Sequence, residues 1–417
     1  MKKIFLFVFI GIMSSFGQQW VQKSSPVSVN LNKLFFIDSS SGWACGDSGV
    51  IIYSSDKGNS WTSQLTGLSS EIVSIFFIDS SLGYALSYSL DGTIVLKTTN
   101  GGNVWDNFVF PFSPNIMSDV HFLNKDIGFL AGFQGEIFRT SDGGERWEQM
   151  NQDTSVYGGY PVQNLVFIDS LLGFGLGGYM DISGVIYKTS DGGLNWKAQG
   201  VGPEPIYDLV FIDSNNVIAT GGDLEYGASL TRSSDLGETW NYDTLGQYGI
   251  GFQIVKRTSN EIYITLDRRN EYLLSTDSGA TWKVKPFPNN VSMNAMVFLD
   301  SLNGYAVGDS GKILVYDPYF VNVKNEEAII PEDLSLNVYP NPFNSYITIL
   351  YKISIPGNPE INIYNTLGEK VYNEFLGEQN IGEHKRMINA VELSSGIYYL
   401  TLKVKDKIVS SKIVLLK

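Results

Sequence analysis

The sequence predicts an all-β protein in which a seven-bladed β-propeller, closed by its N-terminal strand, is followed by a small Ig-like β-sandwich. Three observations support this prediction. A short motif that ends in tryptophan recurs six times at a nearly fixed spacing, which is typical of an array of one repeated unit. The 417 residues include 43 glycines, 13% aromatic residues and only 17% charged residues, which favours strands and tight turns. Residues 334–417 lack the repeat and alternate apolar with polar residues.

The first seventeen residues have the composition of a secretory signal peptide. Lys2 and Lys3 form a basic start, residues 4–13 are apolar, and small residues precede the expected cleavage after residue 17. The apolar run is too short to span a membrane as a permanent helix. We therefore expect residues 1–17 to be removed and the protein to have no transmembrane segment.

Residues 18–317 repeat one unit. Each unit begins with an apolar run that ends in a polar residue, as in residues 34–38, and continues with a strand of small residues, as in residues 42–46. A third strand leads into the tryptophan motif, and a fourth strand follows the tryptophan. Four short strands per period, separated by turns rich in Gly, Asp and Ser, are typical of a propeller blade.

The chain has seven starts of this unit but only six tryptophan motifs. The seventh unit ends at residues 312–316 and has no motif and no outer strand. Residues 19–22 offer a strand with Trp20 in the place of the motif tryptophan. We predict that this N-terminal strand completes the last blade, because such pairing removes an exposed sheet edge.

The motif, Ser-x-Asp-x-Gly-x-Thr-Trp, is predicted to have a structural role. Its Asp can accept backbone N–H bonds, its Gly can take the positive φ of a turn, and its Trp can bury a large ring. The second copy has Asn in place of Asp, which keeps the acceptor oxygen and would not serve as a catalytic carboxylate. The acceptor positions are Asp56, Asn100, Asp142, Asp191, Asp235 and Asp277, and the tryptophans are Trp61, Trp105, Trp147, Trp196, Trp240 and Trp282.

This motif resembles the Asp-box repeat of bacterial neuraminidases. The longer unit resembles the photosystem II assembly factor-like and sortilin-like propellers. The resemblance covers residues 18–317 and implies the propeller fold. It implies no single function, because these families include sialidases, xyloglucanases, sorting receptors and assembly factors.

Residues 318–333 are interpreted as a linker, and residues 334–417 as a separate β-sandwich. The phrases Tyr-Pro-Asn-Pro-Phe at 339–343, Gly-Ile-Tyr at 396–398 and Lys-Ile-Val-Leu-Leu-Lys at 412–417 resemble the type A C-terminal sorting domain of the type IX secretion system. The resemblance implies two partners for residues 334–417, the outer-membrane translocon and its sorting peptidase. It also implies release from the cell or attachment to its surface. The alternative is an accessory sandwich that binds carbohydrate.

Charge and residue usage exclude several functional classes. Residues 18–330 contain 34 Asp and Glu against 18 Lys and Arg, which argues against nucleic acid or an anionic membrane as a partner. The chain has one cysteine, Cys45, which we expect to be a buried thiol, and two histidines. Because no His/Cys spacing fits a metal site, we expect no metal and no cofactor. We also expect a monomer.

The candidate binding face lies opposite the tryptophan motifs, where second-to-third turns and interblade loops meet. The longest insertions there carry aromatic and charged side chains beside glycines, which suits sugar stacking or peptide capture, although exposed turns without a ligand have the same composition. Our leading hypothesis is a secreted, non-catalytic propeller that binds an extracellular protein or glycan. The candidate residues are Tyr157, Tyr160, Tyr179, Asp181, Asp223, Glu225, Tyr226, Arg268 and Arg269.

The alternative is a glycoside hydrolase, because that reaction needs only two carboxyl groups at a suitable separation, roughly 5–10 Å. A sialidase would also need three converging arginines, and Arg139, Arg146 and Arg232 lie at the motif turns instead. The candidate acid pair comes from Asp181, Asp223, Glu225 and Asp267.

Overall fold

The structure is a computed structural model that describes residues 20–112, 115–151, 153, 155–267, 269–318, 334–405 and 407–417. The expected signal peptide, Arg268 and all of the expected linker except Pro318 lie outside the described residues. The chain divides into two compact units, Met1–Asn322 and Val323–Lys417. Strands, turns and three 3-10 turns make up the described residues, so the all-β prediction is confirmed. No helix in this part of the chain is both long and apolar enough to cross a membrane.

The N-terminal unit contains seven four-stranded antiparallel sheets, numbered here 1 to 7 by their order along the chain. The strand β1 (Trp20–Lys23) comes first and belongs to sheet 7. Sheet 1 contains β2 (Leu31–Phe36), β3 (Gly42–Gly46), β4 (Ile51–Ser54) and β5 (Thr62–Gln64). Sheet 2 contains β6 (Ile72–Phe77), β7 (Gly83–Ser89), β8 (Gly92–Thr98) and β9 (Asp106–Val109). Sheet 3 contains β10 (Met117–Phe122), β11 (Gly128–Gly132), β12 (Ile137–Thr140) and β13 (Glu148–Gln149).

The remaining sheets have the same strand order. Sheet 4 contains β14 (Val162–Phe167), β15 (Gly173–Tyr179), β16 (Ser183–Thr189) and β17 (Lys197–Gly202). Sheet 5 contains β18 (Ile206–Phe211), β19 (Val217–Asp223), β20 (Gly227–Ser233) and β21 (Asn241–Gln247). Sheet 6 contains β22 (Gly251–Lys256), β23 (Ile262–Leu266), β24 (Glu271–Ser275) and β25 (Lys283–Pro286). Sheet 7 contains β26 (Met293–Phe298), β27 (Gly304–Gly308), β28 (Ile313–Tyr316) and β1. The 3-10 turns are Asp47–Gly49, Pro288–Asn290 and Asp309–Gly311.

Sheet 7 combines the two ends of the repeat region. Its strand order is β1-β28-β27-β26, and Trp20 lies opposite Tyr316 in antiparallel register. The Trp20 side chain is buried and contacts the rings of Phe287, Phe298 and Tyr316. The N-terminal strand is therefore the outer strand of sheet 7, and the seventh repeat unit, which forms the rest of that sheet, has no tryptophan motif.

Stacked aromatic rings join neighbouring sheets. Except between sheets 5 and 6, a ring on the second strand of one sheet lies against the phenylalanine that ends the first strand of the next sheet. Trp43 stacks on Phe77 with ring centroids 3.6 Å apart, and Tyr84 stacks on Phe122 at 4.2 Å. The same stacking joins sheet 7 to sheet 1, where the rings of Tyr305 and Phe36 are 4.0 Å apart. The first strands of successive sheets also contact each other, and β26 contacts β2.

The glycine that precedes the second-strand ring leaves room for the phenylalanine on the first strand of its own sheet. At Gly128, for example, a Cβ atom would lie 2.4 Å from the Phe122 ring of the same sheet. The motif tryptophan then meets the same phenylalanine edge-on, with the centroids of Trp147 and Phe122 6.2 Å apart. The repeated Gly-aromatic pair, the phenylalanine and the tryptophan therefore form one packing unit.

The tryptophan motif closes its turn with local hydrogen bonds. In the first copy, Asp56 accepts a hydrogen bond from the backbone N–H of Ser60 at 2.9 Å, and Gly58 has a φ of 69°. In the second copy, the side-chain oxygen of Asn100 accepts the N–H of Val104 at the same distance. Because the amide replaces the carboxylate without loss of this bond, the motif functions here as a turn.

We predict that the motif carboxylates make the N-terminal unit sensitive to acid. Hydrogen bonds from the Thr239 and Thr281 side chains, and then from their backbone N–H groups, lower the pKa of Asp235 and of Asp277 to about 2. In the unfolded chain the same carboxyls have a pKa near 3.9, so they take up protons at a higher pH than in the folded chain. The stability that the two ionised carboxylates contribute is therefore present above about pH 4 and is lost towards pH 2. The Asp235→Asn/Asp277→Asn double variant should therefore lose less stability over that interval than the native chain.

The measurement is the urea midpoint between pH 2 and pH 4, followed by tryptophan fluorescence. All eight tryptophans lie between residues 20 and 282, so the signal reports the N-terminal unit within the full chain. Asp106→Asn, on an exposed outer strand, is the matched control and should keep the native acid sensitivity. An identical loss of stability in the double variant and the native chain would contradict the prediction.

The C-terminal unit consists of a three-stranded and a four-stranded sheet. Ile347 and Ile349 from the first sheet and Ile361 and Ile363 from the second belong to one buried apolar cluster. The strands are β29 (Leu334–Tyr339), β30 (Tyr346–Ile353), β31 (Glu360–Tyr364), β32 (Lys370–Phe375), β33 (Gly382–Asn389), β34 (Gly396–Val404) and β35 (Lys407–Leu415). The two sheets, in the orders β29-β30-β33 and β32-β31-β34-β35, therefore enclose a core between them.

Candidate functional site

Polar side chains on the first strands link each sheet to the next. The side chain of Asp119, on β10, accepts the backbone N–H of Leu165 on β14 at 2.9 Å. Asp208, on β18, likewise accepts the N–H of Ile254 on β22 at 3.0 Å. Each of these carboxyls lies at a β-bulge of its strand. These side chains replace main-chain pairing between neighbouring sheets and therefore have a structural role.

A cavity of about 210 Å³ lies among these first strands and is lined in part by Asp208 and Asn164. The Asn164 amide donates a hydrogen bond to Asp208 at 3.1 Å. Burial raises the pKa of Asp208 to about 7, although the N–H groups of Ile254 and Leu209 act in the opposite direction. Because the carboxyl is occupied by three donors from the protein, it is poorly placed to bind a ligand.

A second cavity, of about 500 Å³, lies between sheets 4 and 5 on the face predicted to bind. We call it the carboxyl pocket. Asp181 reaches it from the β15–β16 turn, and Asp223 and Glu225 reach it from the β19–β20 turn. Three of the four carboxyls proposed for the acid pair are thus brought together. The full lining is Asp181, Pro203, Glu204, Asp223, Glu225, Tyr226, Tyr242 and Thr244.

Two carboxyl groups of this pocket are buried and incompletely partnered. Asp223 is 3% exposed; its Oδ1 accepts the backbone N–H groups of Glu225 at 2.8 Å and Tyr226 at 2.6 Å. Glu204 is 2% exposed. Within the described residues, Oδ2 of Asp223 and Oε2 of Glu204 make no hydrogen bond of normal geometry, and the Glu204 carboxyl lies next to the Tyr242 hydroxyl. Buried polar atoms are almost always paired, so these two carboxyl oxygens are unusual among the described side chains.

The sequence analysis did not find Glu204 or Tyr242. Glu204 lies in the loop between sheets 4 and 5, and Tyr242 lies on the outer strand β21. The available signal was the Pro203-Glu204-Pro205 sequence, which places an acidic residue between two rigid residues of an interblade loop. Burial, followed by the nearby Glu204 carboxyl, raises the pKa of Tyr242.

The predicted tyrosines form a row of rings on the same face. The rings of Tyr157 and Tyr160 are 5.9 Å apart, and those of Tyr160 and Tyr179 are 5.2 Å apart. The Tyr187 hydroxyl lies 2.8 Å from the carbonyl oxygens of both Tyr157 and Tyr160, so its single proton is shared between them and ties their loop to β16. Tyr179 is 45% exposed and precedes Asp181 of the carboxyl pocket by two residues. The tyrosine row therefore ends next to that pocket.

The other predicted site residues do not join the carboxyl pocket. Asp267 lines a separate cavity of about 400 Å³ together with Glu71 and Asp309. Arg269 forms an ion pair with Glu271 at 2.7 Å, and its guanidinium lies 5.5 Å from the Tyr248 ring centre. Arg268 is outside the described residues. The candidate set thus separates into a pocket between sheets 4 and 5 and a second group around sheet 6.

Cys45 is free and buried, and its burial raises the pKa of the thiol. In the ranges given above, no group of three or more His, Cys, Asp or Glu is arranged to hold a metal ion.

Comparison with known proteins identifies the C-terminal unit. Residues 337–416 match the family model described as a secretion system C-terminal sorting domain. The tail is a type IX sorting domain. The protein is therefore exported by the type IX system to the cell surface or the extracellular space, and its sorting domain interacts with that secretion machinery. No curated protein sequence is significantly similar to the chain.

Solved structures similar to the N-terminal unit are β-propellers. YCF48 bound to D1 peptide is 19% identical, with a TM-score of 0.59, covering 72% of this chain and 97% of that one. The WD40 β-propeller domain of Doa1 is 12% identical, with a TM-score of 0.53 and coverages of 73% and 97%. A GH74 xyloglucanase from Xanthomonas campestris is 12% identical, with a TM-score of 0.57 and coverages of 94% and 68%. At these identities the likeness shows the propeller fold alone.

Proposed function

We propose that the described residues 20–318 form a seven-bladed propeller closed by its N-terminal strand, and that this propeller is a secreted, non-catalytic binding module. Seven sheets, the pairing of β1 with β28 and the Tyr305–Phe36 stacking between sheets 7 and 1 support the closed ring. We further propose cleavage of residues 1–17, a linker at residues 318–333, and removal of residues 334–417 by the sorting peptidase.

The carboxyl pocket is the proposed ligand site. The observation that supports it is the pair of buried carboxyls, Glu204 and Asp223, that line a cavity of about 500 Å³ without a basic partner. Loops on a rigid scaffold are the usual place for such sites. Tyr179, the exposed member of the tyrosine row, adds contact area beside the pocket. YCF48, which shares the fold, has been solved with a bound peptide, in keeping with a propeller that captures a protein segment.

Glycoside hydrolysis is the second candidate function. It is favoured by the convergence of Asp181, Asp223 and Glu225 on one cavity, because two carboxyl groups across a groove are sufficient for that reaction. The two candidates differ in whether the bound ligand is turned over.

We predict that the mature full chain binds a ligand in the carboxyl pocket without cleaving it. The test combines glycan and peptide arrays with a hydrolysis screen on polysaccharides. Thr244→Trp should abolish binding, because Thr244 is exposed at the pocket and an indole would obstruct the cavity. The matched control is Thr62→Trp, on the exposed outer strand of sheet 1, which should bind normally.

Two outcomes would change this proposal. If the native chain hydrolyses a glycan and Thr244→Trp does not, the protein is a glycoside hydrolase and the binding-module proposal is wrong. Binding of equal strength in Thr244→Trp and the native chain would place the ligand elsewhere and contradict the assignment of the site.

A further inference from the structure

The carboxyl pocket has an excess of acceptors and negative formal charge. Four carboxyl groups line it and no basic side chain does. None of the four takes part in an ion pair among the described residues. The surrounding segment, residues 201–250, contains eight Asp and Glu and one basic residue, Arg232. Arg232 donates to the carbonyl of Gly279 and is therefore engaged at a motif turn.

We infer that the carboxyl pocket recognises the lysine or arginine side chain of a protein segment, an inference that rests on the proposed function. A carboxylate only accepts hydrogen bonds, whereas an ammonium has three donors and a guanidinium has five. Such a group has enough donors for both buried carboxyls, Glu204 and Asp223, and it compensates the charge that burial makes costly. A neutral sugar hydroxyl supplies one donor and no charge.

The walls of the pocket fit the stem of such a side chain. Tyr226 is 61% exposed, and its ring and that of Tyr242 line the cavity next to Pro203. Aromatic faces attract ammonium and guanidinium groups, and methylene stems pack against apolar surface while the charged end reaches the carboxylates. A bare metal ion would use neither the rings nor the proline.

The tyrosine row indicates that the cation is part of a longer chain. The row runs through Tyr157 and Tyr160 to Tyr179. Asp181, two residues after Tyr179, lines the pocket. An extended segment that inserts a basic residue between sheets 4 and 5 would continue over these rings. The partner is thus a protein segment with one anchoring Lys or Arg followed by apolar or aromatic residues.

The experiment is a random-peptide display selection on the mature full chain, with counter-selection on Thr244→Trp. The expected result is enrichment of peptides with Lys or Arg at one fixed position. Replacing that residue by norleucine should weaken binding of the selected peptide by about tenfold or more, since a charge-assisted bond is lost. Glu204→Gln and Asp223→Asn should weaken binding similarly. Glu148→Gln, on an exposed outer strand, is the control and should not.

The remaining outcomes separate this inference from the proposed function. If the selected peptides lack a basic residue but do not bind Thr244→Trp, the inference is wrong and the assignment of the binding site still holds. Peptides selected equally by Thr244→Trp, or no enrichment at all, would overturn both. Displacement of the peptide by millimolar Ca²⁺ in the native chain but not in Asp223→Asn would show a metal site instead. Fluorescence-detected unfolding of each variant checks that the fold is retained.

Discussion

Replacing Trp20 by alanine is expected to lower the unfolding free energy of the N-terminal unit by about 3–5 kcal/mol, the usual cost of removing a buried indole. The ring is 2% exposed and lies among Phe287, Phe298 and Tyr316. Its removal leaves a cavity that the surrounding strands cannot fill. The loss should appear as a lower urea midpoint with an unchanged slope, since the surface exposed on unfolding stays nearly the same.

Trp147→Ala provides the comparison for this prediction. Trp147 is the motif tryptophan of sheet 3 and is 6% exposed. If the N-terminal strand is an integral part of sheet 7, both variants should lose similar amounts of stability. A Trp20→Ala variant within about 0.5 kcal/mol of the native chain, beside a strongly destabilised Trp147→Ala, would mean that the first strand is only loosely attached.

Deleting residues 334–417 is expected to abolish export across the outer membrane. The truncated chain keeps the proposed signal peptide, so it should still enter the periplasm, but it lacks the sorting domain identified at residues 337–416. Cell fractionation with immunoblotting should find the truncated protein in the periplasm and none at the surface or in the medium. Periplasmic extracts should retain native tryptophan fluorescence, which would exclude degradation as the cause.

The full chain carrying Thr244→Trp is the control for export. Its sorting domain is intact and only its carboxyl pocket is obstructed, so it should leave the cell in native amounts. Surface display of the truncated chain at the native level would contradict a sorting role for the tail in this protein.

Local features of the fold could be predicted from the sequence because their determinants lie within a few residues. Asp56 and the N–H of Ser60 are four positions apart, so the motif alone indicates the turn. The stacking of Tyr84 on Phe122 could not be predicted in the same way. Both residues were visible in the repeat, but their contact depends on how one sheet packs against the next.

The candidate site shows the same limit. Asp181, Asp223 and Glu225 were found because strand order alone assigns the β15–β16 and β19–β20 turns to one face. Glu204 and Tyr242 were missed because they enter the pocket from an interblade loop and an outer strand. Their positions are determined by the spacing of sheets 4 and 5, which the periodicity does not specify. Asp267, the fourth candidate carboxyl, lines another cavity, and the periodicity does not indicate that separation either.

The pairing of β1 with β28 also has a kinetic consequence. Trp20 and Tyr316 are separated by almost the whole N-terminal unit, so β1 should join sheet 7 late and the rate of folding should reflect this distant contact. Until then β28 presents an unpaired edge, and the first strand of a second copy has the same sequence as its natural partner. Refolding at high protein concentration should therefore yield dimers in which two copies exchange their N-terminal strands, whereas dilute refolding should yield monomers.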